Sequence, residues 1–504
     1  MNKREISYGV ILSLLAQIGG IAVNLICTPV IIRELGQNEY GLYQLVLSVV
    51  NYLTLMNFGF NSAYIRYYTI AKSKSEKRLS QVNGMFLTVF MVIAALCMGA
   101  GTVLYRHIEI LGNQLTASDY ATARHLIVYM IINMAISFPN SLFVAYIFAN
   151  EKFIFNKIVG IAVNILLPLC KIPMILMGYG SVGIVAATLG FTVFQFVLNY
   201  WYCRCRLGMR FRFDRFDRSL FWDMIHFTLF IFISDLVDQL NSNVDKLLLG
   251  RIMGTVAVAV YSVAYNLKTY YTMLTWIVPE MYIPAANKAV IEEDNMDEAN
   301  RLFQKIGRIN NYLTLLVITG FILYGRCFIE LWVGPGYEES YYAMVILMLS
   351  GYIPAVQTLG TNIQNAKNMH QMRSVVYLLV ACINVVLTIF LIRWFGVIGA
   401  CIGTLTASLV GTGVFMNIYY HKRIGLNVIS FWKEISKWYP ASFVLFAAGM
   451  VLGHYFSVDS WGTLFLSGLV YSLCYVLLLW KFGLKQEEKS AVQGKIRSVR
   501  SRFQ

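Results

Sequence analysis

Charge is scarce in this 504-residue chain. Asp, Glu, Lys and Arg together make up 13% of it, against 58% for Ala, Val, Ile, Leu, Met, Phe, Trp, Tyr and Cys. That excludes an ordinary soluble protein, whose sequence carries roughly 25% charged residues. Chemistry-bearing clusters are lacking as well. The nine cysteines and six histidines are scattered, and Cys203-Arg-Cys205 has no second ligand pair, so it reads as two reduced thiols rather than a metal site. No glycine-rich phosphate loop, nucleophile motif or pair of loop carboxylates is present. These gaps exclude an enzyme and leave no place for a cofactor or a catalytic metal. The net charge of +15 would suggest nucleic acid in a soluble chain, but its distribution points to a membrane.

What the chain has in abundance is apolar runs of about 20 residues, the length that crosses a bilayer. Fourteen are expected, at 7–32, 41–65, 83–104, 123–148, 158–177, 181–202, 223–248, 255–277, 309–330, 343–363, 374–393, 396–420, 438–456 and 461–480. With the N-terminus in the cytoplasm, 32 of the 41 Lys and Arg residues fall in inside segments and six outside, with Lys171, Lys246 and Lys268 left within spans. Positive charge is retained on the cytoplasmic side, so the alternation supports both the count and cytoplasmic termini. The expected fold is an all-α polytopic, multi-pass membrane protein with both termini cytoplasmic. The first run follows Lys3 and Arg4, is too long for a signal-peptide core and stays as a helix.

The run from Phe227 to Gly250 departs from the apolar norm: it carries Asp235, Asp238, Asp245 and Lys246. At about 100° per residue these four share an arc of about 140° with Ser234, Asn241 and Ser242. Each carboxylate would cost about 2.5–3.5 kcal/mol facing lipid, so this face must look onto water or polar protein. Other spans have polar stripes too. Gln17 and Asn24 share a face of the first span, with Pro29 able to bend its outer end, and Asn57 and Asn61 share one of the second, which ends at Arg66. Such stripes either bind neighbouring helices or line a path.

Lysines add a second sign of charge. Lys171 lies between Pro168 and Pro173 in the fifth span, either as a cavity lysine or as one whose ammonium reaches outward along its stem. Tyr261, Tyr265 and Lys268 line up at helical spacing in the eighth. A cation flanked by tyrosines suits a phosphate bearing a sugar, because lysine pairs with the anion and aromatic rings stack on sugar faces. The alternative is a structural Lys268 paired with an aspartate of the seventh span. The longest loop includes a segment, 295–308, with the pattern of an amphipathic helix on the inner surface. The last residues, 482–504, form a basic tail suited to anchoring at a membrane surface.

The chain also repeats itself. Arg33-Glu34-Leu35-Gly36 with Tyr43 matches Arg251-Ile252-Met253-Gly254 with Tyr261 at an offset of 218, and Gly178-Tyr179-Gly180-Ser181-Val182-Gly183 matches Trp394-Phe395-Gly396-Val397-Ile398-Gly399 at an offset of 216. Two six-helix lobes of the same orientation are expected, 1–210 and 211–421, followed by two extra helices at 422–481 and the tail.

Two such lobes plus two helices, with Leu35-Gly36-Gln37-Asn38-Glu39-Tyr40-Gly41 opening the first and Asp245-Lys246-Leu247-Leu248-Leu249-Gly250 the second, resemble the oligosaccharide flippases. These are the Wzx-like polysaccharide-repeat exporters of the multidrug/oligosaccharidyl-lipid/polysaccharide (MOP) transporter superfamily. The resemblance implies alternating access that carries an undecaprenyl-pyrophosphate-linked oligosaccharide from the inner to the outer leaflet. Its implied partners are the polyprenyl-pyrophosphate-linked glycan, membrane lipids, polysaccharide assembly enzymes and a counter-ion, H+ or Na+. Lys171 and Lys268, with Arg33 and Arg66 at the rims, are candidates for the anion, and Asp235, Asp238 and Asp245 for the counter-ion.

Two alternatives share the superfamily: a drug or organic-cation antiporter, which prefers acidic walls and twelve spans, and a flippase for the peptidoglycan precursor, lipid II. A polytopic glycan polymerase or prenyl-phosphate glycosyltransferase needs a substantial outer loop with catalytic groups. The longest outer loop here, about Tyr105 to Thr122, holds only Glu109 and Asp119 as acids.

Overall fold

A computed structural model of the chain describes residues 3–112, 114–214, 217–367, 369–455, 458–486, 488–490 and 493; for residues 3–18, 230, 370 and 371 it describes the backbone alone. All regular structure among the described residues is helical. The helices are α1 (Lys3–Asn51), α2 (Phe60–Lys74), α3 (Glu76–Arg106), α4 (Ala117–Ala149), α5 (Phe153–Met174), α6 (Gly180–Trp201), α7 (Arg218–Met253) and α8 (Thr255–Asn287). They continue as α9 (Met296–Val333), α10 (Glu338–Val356), α11 (Thr358–Ala366), α12 (His370–Ser408), α13 (Asn417–Tyr419), α14 (Val428–Ser436), α15 (Tyr439–Tyr455) and α16 (Trp461–Leu478).

Eight helical stretches among the described residues are long and apolar enough to cross a membrane, or ten if two bent pairs each count as one span. Three of the eight, Gly19–Lys74, Phe153–Arg206 and Met372–Ile424, run for 53 to 56 residues. At 1.5 Å per residue each would be about 80 Å long if straight, more than twice the hydrocarbon thickness, so each has room for two crossings. Breaks fall where the sequence suggested loops. Gly36 (φ 72°, ψ 171°) interrupts α1, Gly178 (φ 84°) and Gly180 (φ 56°, ψ −146°) separate α5 from α6, and Gly396 (φ 57°, ψ −134°) interrupts α12. A side chain would be strained at each, so glycine makes a corner without a loop. Gly254, at the end of α7, has φ 92° and ψ −173°. Gly36 and Gly254 thus share a conformation 218 residues apart, and Gly180 and Gly396 share another 216 apart, the same offsets as the sequence repeat.

The chain divides into two compact units: Met1–Asn266 with Gln371–Ala407, and Leu267–His370 with Ser408–Gln504. In the first, aromatic residues of α2, α3 and α4 build a core from Phe60, Tyr64, Phe86, Phe90, Phe138 and Phe143. Tyr64 meets Phe86 edge-on at 4.9 Å and donates to Asn83 Oδ1 at 2.7 Å. The segment leading into α7 lies against the start of α3. Asn83 Nδ2 donates to the Arg210 carbonyl at 3.0 Å, the Arg212 N–H to the Ser80 carbonyl at 2.9 Å, and Arg78 bonds Asp217 at 2.5 Å. The Arg78 guanidinium, and next the Leu220 N–H that Asp217 caps, hold that carboxyl below the usual carboxylate range.

The second unit is built on α9. The segment expected to form a separate surface helix, 295–308, is the first part of this 38-residue helix instead. Asn295 caps the Glu298 N–H at 3.0 Å, and Phe303 is fully buried, stacked on Phe431 of α14 at 4.2 Å. Its apolar stripe is covered by protein rather than by membrane surface. Further along α9, Tyr312 packs with Trp438 and Tyr475, and the indole of Trp438 donates to the Tyr475 hydroxyl at 2.7 Å. Arg308 bonds both Glu434, at 3.3 Å, and Glu488, tying α9 to α14 and to the start of the basic tail. Tail residues 494–504 lie outside the described residues.

A Cβ placed on Gly84 of α3 would lie 2.2 Å from the Arg212 carbonyl oxygen, a backbone atom that no rotamer change can move. Gly84→Ala is therefore expected to lift the 207–214 segment off α3 and destabilise the protein by about 1–3 kcal/mol. Thermal unfolding of the purified protein in detergent reads this, and an unchanged midpoint would contradict the docking.

Candidate functional site

The polar face of α7 divides into an enclosed part and an exposed part, both within the first unit. In the enclosed part Asp245 is 1% exposed and Lys246 7%. Consecutive residues on a helix point about 100° apart, and the two charges find different partners. Asp245 Oδ2 accepts the Tyr261 hydroxyl of α8 at 2.8 Å and the Thr404 hydroxyl of α12 at 3.0 Å. Lys246 Nζ donates to Gln44 Oε1 of α1 at 3.3 Å and sits 5.0 Å over the ring of Tyr265. Gln44 Nε2 and Asn266 Nδ2 each donate to the Tyr40 hydroxyl at 3.0 Å. Tyr261 and Tyr265, one helical turn apart, stack at 6.0 Å, and each meets one charge of the pair. Hydroxyls, an amide and a π face thus replace the lost water.

Nearer the start of α7, Asp235 is half-buried, while Asp238 and Asn241 are exposed. Arg373 of α12 is the cation acting on Asp238, and Ser234 and Ser374 share a hydrogen bond at 3.1 Å. Gln239 Nε2 donates to Thr54 Oγ1 at 3.0 Å, and Gln239 Oε1 accepts from Asn243 at 2.6 Å. An exposed carboxylate on a spanning helix has to stand in a water-filled space, because facing lipid would cost several kilocalories per mole.

The stretch Leu35–Gly41 is where several elements of the first unit converge. Asn38 Nδ2 donates to Asp119 of α4 at 2.9 Å, and its Oδ1 accepts the Thr255 hydroxyl of α8. Glu39 Oε1 accepts the Ser181 N–H at 2.6 Å, just after the Gly180 corner. A Cβ on Gly41 would lie 1.9 Å from the Thr255 carbonyl oxygen, so only glycine allows α1 and α8 this close.

The other sequence candidates are dispersed. Lys171 is half-buried on α5 within electrostatic reach of Cys27. Lys268 opens the second unit, half-buried, its carbonyl accepting the Thr272 hydroxyl at 2.9 Å. Arg33 and Arg66 are exposed, and the Arg66 guanidinium lies 4.7 Å over Phe227 of α7. Asn24 donates to the Gly20 carbonyl at 2.8 Å, and Asn57 and Asn61 are half-buried. Gln17 lies outside the residues whose side chains are described. Sequence reasoning missed Gln44, Thr404, Asn266 and Arg373. The first three are neutral and have no motif, whereas Arg373 was legible as a charge at a span end but read only as a topology marker. Among the described residues no three of His, Cys, Asp and Glu come together to hold a metal ion.

Glycine-jointed helical repeats and apolar helices long enough to cross a bilayer define a polytopic membrane protein. The fold agrees: it matches the lipid II flippase MurJ in its inward closed conformation with a TM-score of 0.75, covering 94% of this chain and 98% of that one at 14% identity. The MATE multidrug transporter DinF-BH matches at 0.59, covering 85% and 97% at 15% identity. At these identities the likeness is one of fold. Sequence narrows the class, since residues 30–342 match the family described as "Polysaccharide biosynthesis protein", and the chain belongs to that family. It is 22% identical to the uncharacterized membrane protein EpsK of Bacillus subtilis over 94% of both chains. It is 20% identical to the probable flippase AglR of Haloferax volcanii over 77% of this chain and 78% of that one, and 22% identical to a putative O-antigen transporter of Shigella flexneri over 73% and 87%. With that family match and its many apolar helices, the chain is a multi-pass membrane protein of the polysaccharide-biosynthesis family.

Tyr261→Phe deletes one of the two hydroxyls on Asp245 and changes little else. A hydrogen bond to a buried charge contributes about 1.5–3 kcal/mol. The variant is expected to unfold at lower temperature by a corresponding margin; wild-type stability would mean that the hydroxyl is not what holds the carboxylate.

Proposed function

We propose that the protein moves an undecaprenyl-pyrophosphate-linked oligosaccharide repeat unit from the inner to the outer leaflet of a bacterial cytoplasmic membrane, by alternating access of two lobes, 1–210 and 211–421, for surface polysaccharide synthesis. The observation that carries this reading is the exposure of Asp238 and Asn241 on a spanning helix, which calls for a hydrated chamber. A pyrophosphate with several sugars has about two charges and many hydroxyls, and each polar group costs several kcal/mol to bare in hydrocarbon. A wet chamber removes that cost while the prenyl tail stays in lipid.

Lys171 of the first unit and Lys268 of the second are each a candidate for the pyrophosphate, with Arg33 and Arg66 as further cations of the first unit. Lys246 is already committed to Gln44 and Tyr265 and so serves the protein rather than the cargo. Asp235 and Asp238 carry the coupling H+ or Na+, whereas Asp245, held by Tyr261 and Thr404, serves the protein. An inside-negative potential adds about 2.3 kcal/mol per outward-moving negative charge per 100 mV. Polysaccharide assembly enzymes hand over the finished unit on the inner side.

Deleting the gene in its host is expected to strand the complete prenyl-linked repeat unit on the cytoplasmic leaflet and to abolish surface glycan. Complementation with Lys171→Met or Lys268→Met should restore surface glycan at least tenfold less well than wild type at equal membrane abundance. Normal surface glycan in the deletion, with altered sensitivity to cationic drugs, would move the chain to the antiporter reading. Full complementation by both variants would remove the lysines from the anion site.

A further inference from the structure

Between α1 and α2 the helix that should cross the membrane as one rod is broken. Residues Tyr52–Asn57 form a tighter 3-10 turn, Phe58 stands in the left-handed region (φ 47°, ψ 23°), and so does Gly59 (φ 69°, ψ 16°). The break falls in the inner half of the second expected span, away from either end. Phe58 is a poor residue for that conformation, since glycine or asparagine adopts it more readily. Its neighbours hold it there: the Phe58 ring stacks on Phe232 of α7 at 4.8 Å, and a Cβ on Gly59 would lie 2.6 Å from the Ile231 side chain. A strained residue fixed by packing in mid-membrane is a place to look for function.

Two side chains flank it with unmet needs. The Asn57 and Asn61 Oδ1 atoms are buried and have no hydrogen-bond partner among the described residues. Buried amide oxygens without a donor are rare in folded proteins. Between them, Phe58 is 44% exposed despite the stacking of its ring. The opposite wall, α7, offers Ser234 and Asp235 two and three residues beyond Phe232. No lysine or arginine lies between Asn51 and Ile65, so the break has no cation of its own to attract a phosphate.

We propose that this break is a subsite for a neutral sugar ring of the cargo, separate from the lysines that take the pyrophosphate; the inference rests on the flippase reading. A sugar presents hydroxyl donors along its edge and an apolar C–H face, the complement of two amide acceptors beside an exposed phenyl ring. Both acceptors are enclosed in this conformation, so the sugar reaches them only when the break opens. Engaging the glycan therefore alters the shape of the helix, a coupling of recognition to movement.

The test uses full-length protein in nanodiscs and two probes, undecaprenyl pyrophosphate and the host's own undecaprenyl-pyrophosphate-linked repeat unit. Asn57→Ala/Asn61→Ala is expected to weaken binding of the glycan-bearing lipid at least tenfold and leave the bare pyrophosphate lipid unchanged. Phe58→Gly relieves the left-handed strain while deleting the ring, so it should fold and still lose glycan affinity. Wild-type affinity for the glycan-bearing lipid in both variants would overturn the subsite and leave the flippase reading intact. Failure of the wild-type protein to bind either lipid would overturn the flippase reading and this inference with it.

Discussion

One constraint organises the first unit: a carboxylate and an ammonium, adjacent in sequence, have to be enclosed in a helix that crosses a membrane. Water would have solvated Asp245 and Lys246, and neither can be left bare. The solution is a shell of neutral groups drawn from three helices, with Tyr261, Thr404, Gln44 and the face of Tyr265 in direct contact. Each shell member has its own geometry to satisfy, which propagates to Tyr40 and Asn266. Removing one hydrogen-bond partner of a buried charge costs about 1.5–3 kcal/mol. The cluster thus fixes where α1, α7, α8 and α12 lie.

Toward the start of α7 the polar groups divide, with Ser234, Gln239 and Asn243 bonded to other side chains. Asp238 and Asn241 stay exposed, with Arg373 as the cation acting on Asp238. A single helix therefore carries an enclosed segment and an exposed one, and the boundary falls between Asn241 and Asn243, which is 6% exposed. Glycine makes the corners at Gly36, Gly180, Gly254 and Gly396, where the backbone turns with positive φ and no loop.

Much of this was legible in the sequence. Apolar runs announced an all-α membrane protein, and the offsets of 216 and 218 marked the corners that the backbone repeats. The shared face of Tyr261 and Tyr265 follows from their spacing of four. What the spacing cannot say is what that face meets. The two tyrosines looked like a cradle for cargo beside Lys268, yet they hold Asp245 and Lys246. Likewise the motif Leu35–Gly41 was visible as a family signature, but its purpose lies in contacts with Asp119, Ser181 and Thr255, up to 217 residues away. The amphipathic pattern at 295–308 was real, but amphipathicity marks a covered face without identifying the cover, and Phe431 supplies it.

The most direct test of a hydrated, cation-bearing path for a lipid-linked glycan is reconstitution of the purified protein in liposomes, with undecaprenyl-pyrophosphate-linked repeat unit as cargo. Movement between leaflets is followed by accessibility to an added glycosidase under an imposed potential. Protein-dependent translocation that accelerates when the destination side is positive is the predicted result. Liposomes with and without protein showing the same leaflet distribution over time, under either sign of potential and with either an H+ or a Na+ gradient, would contradict it.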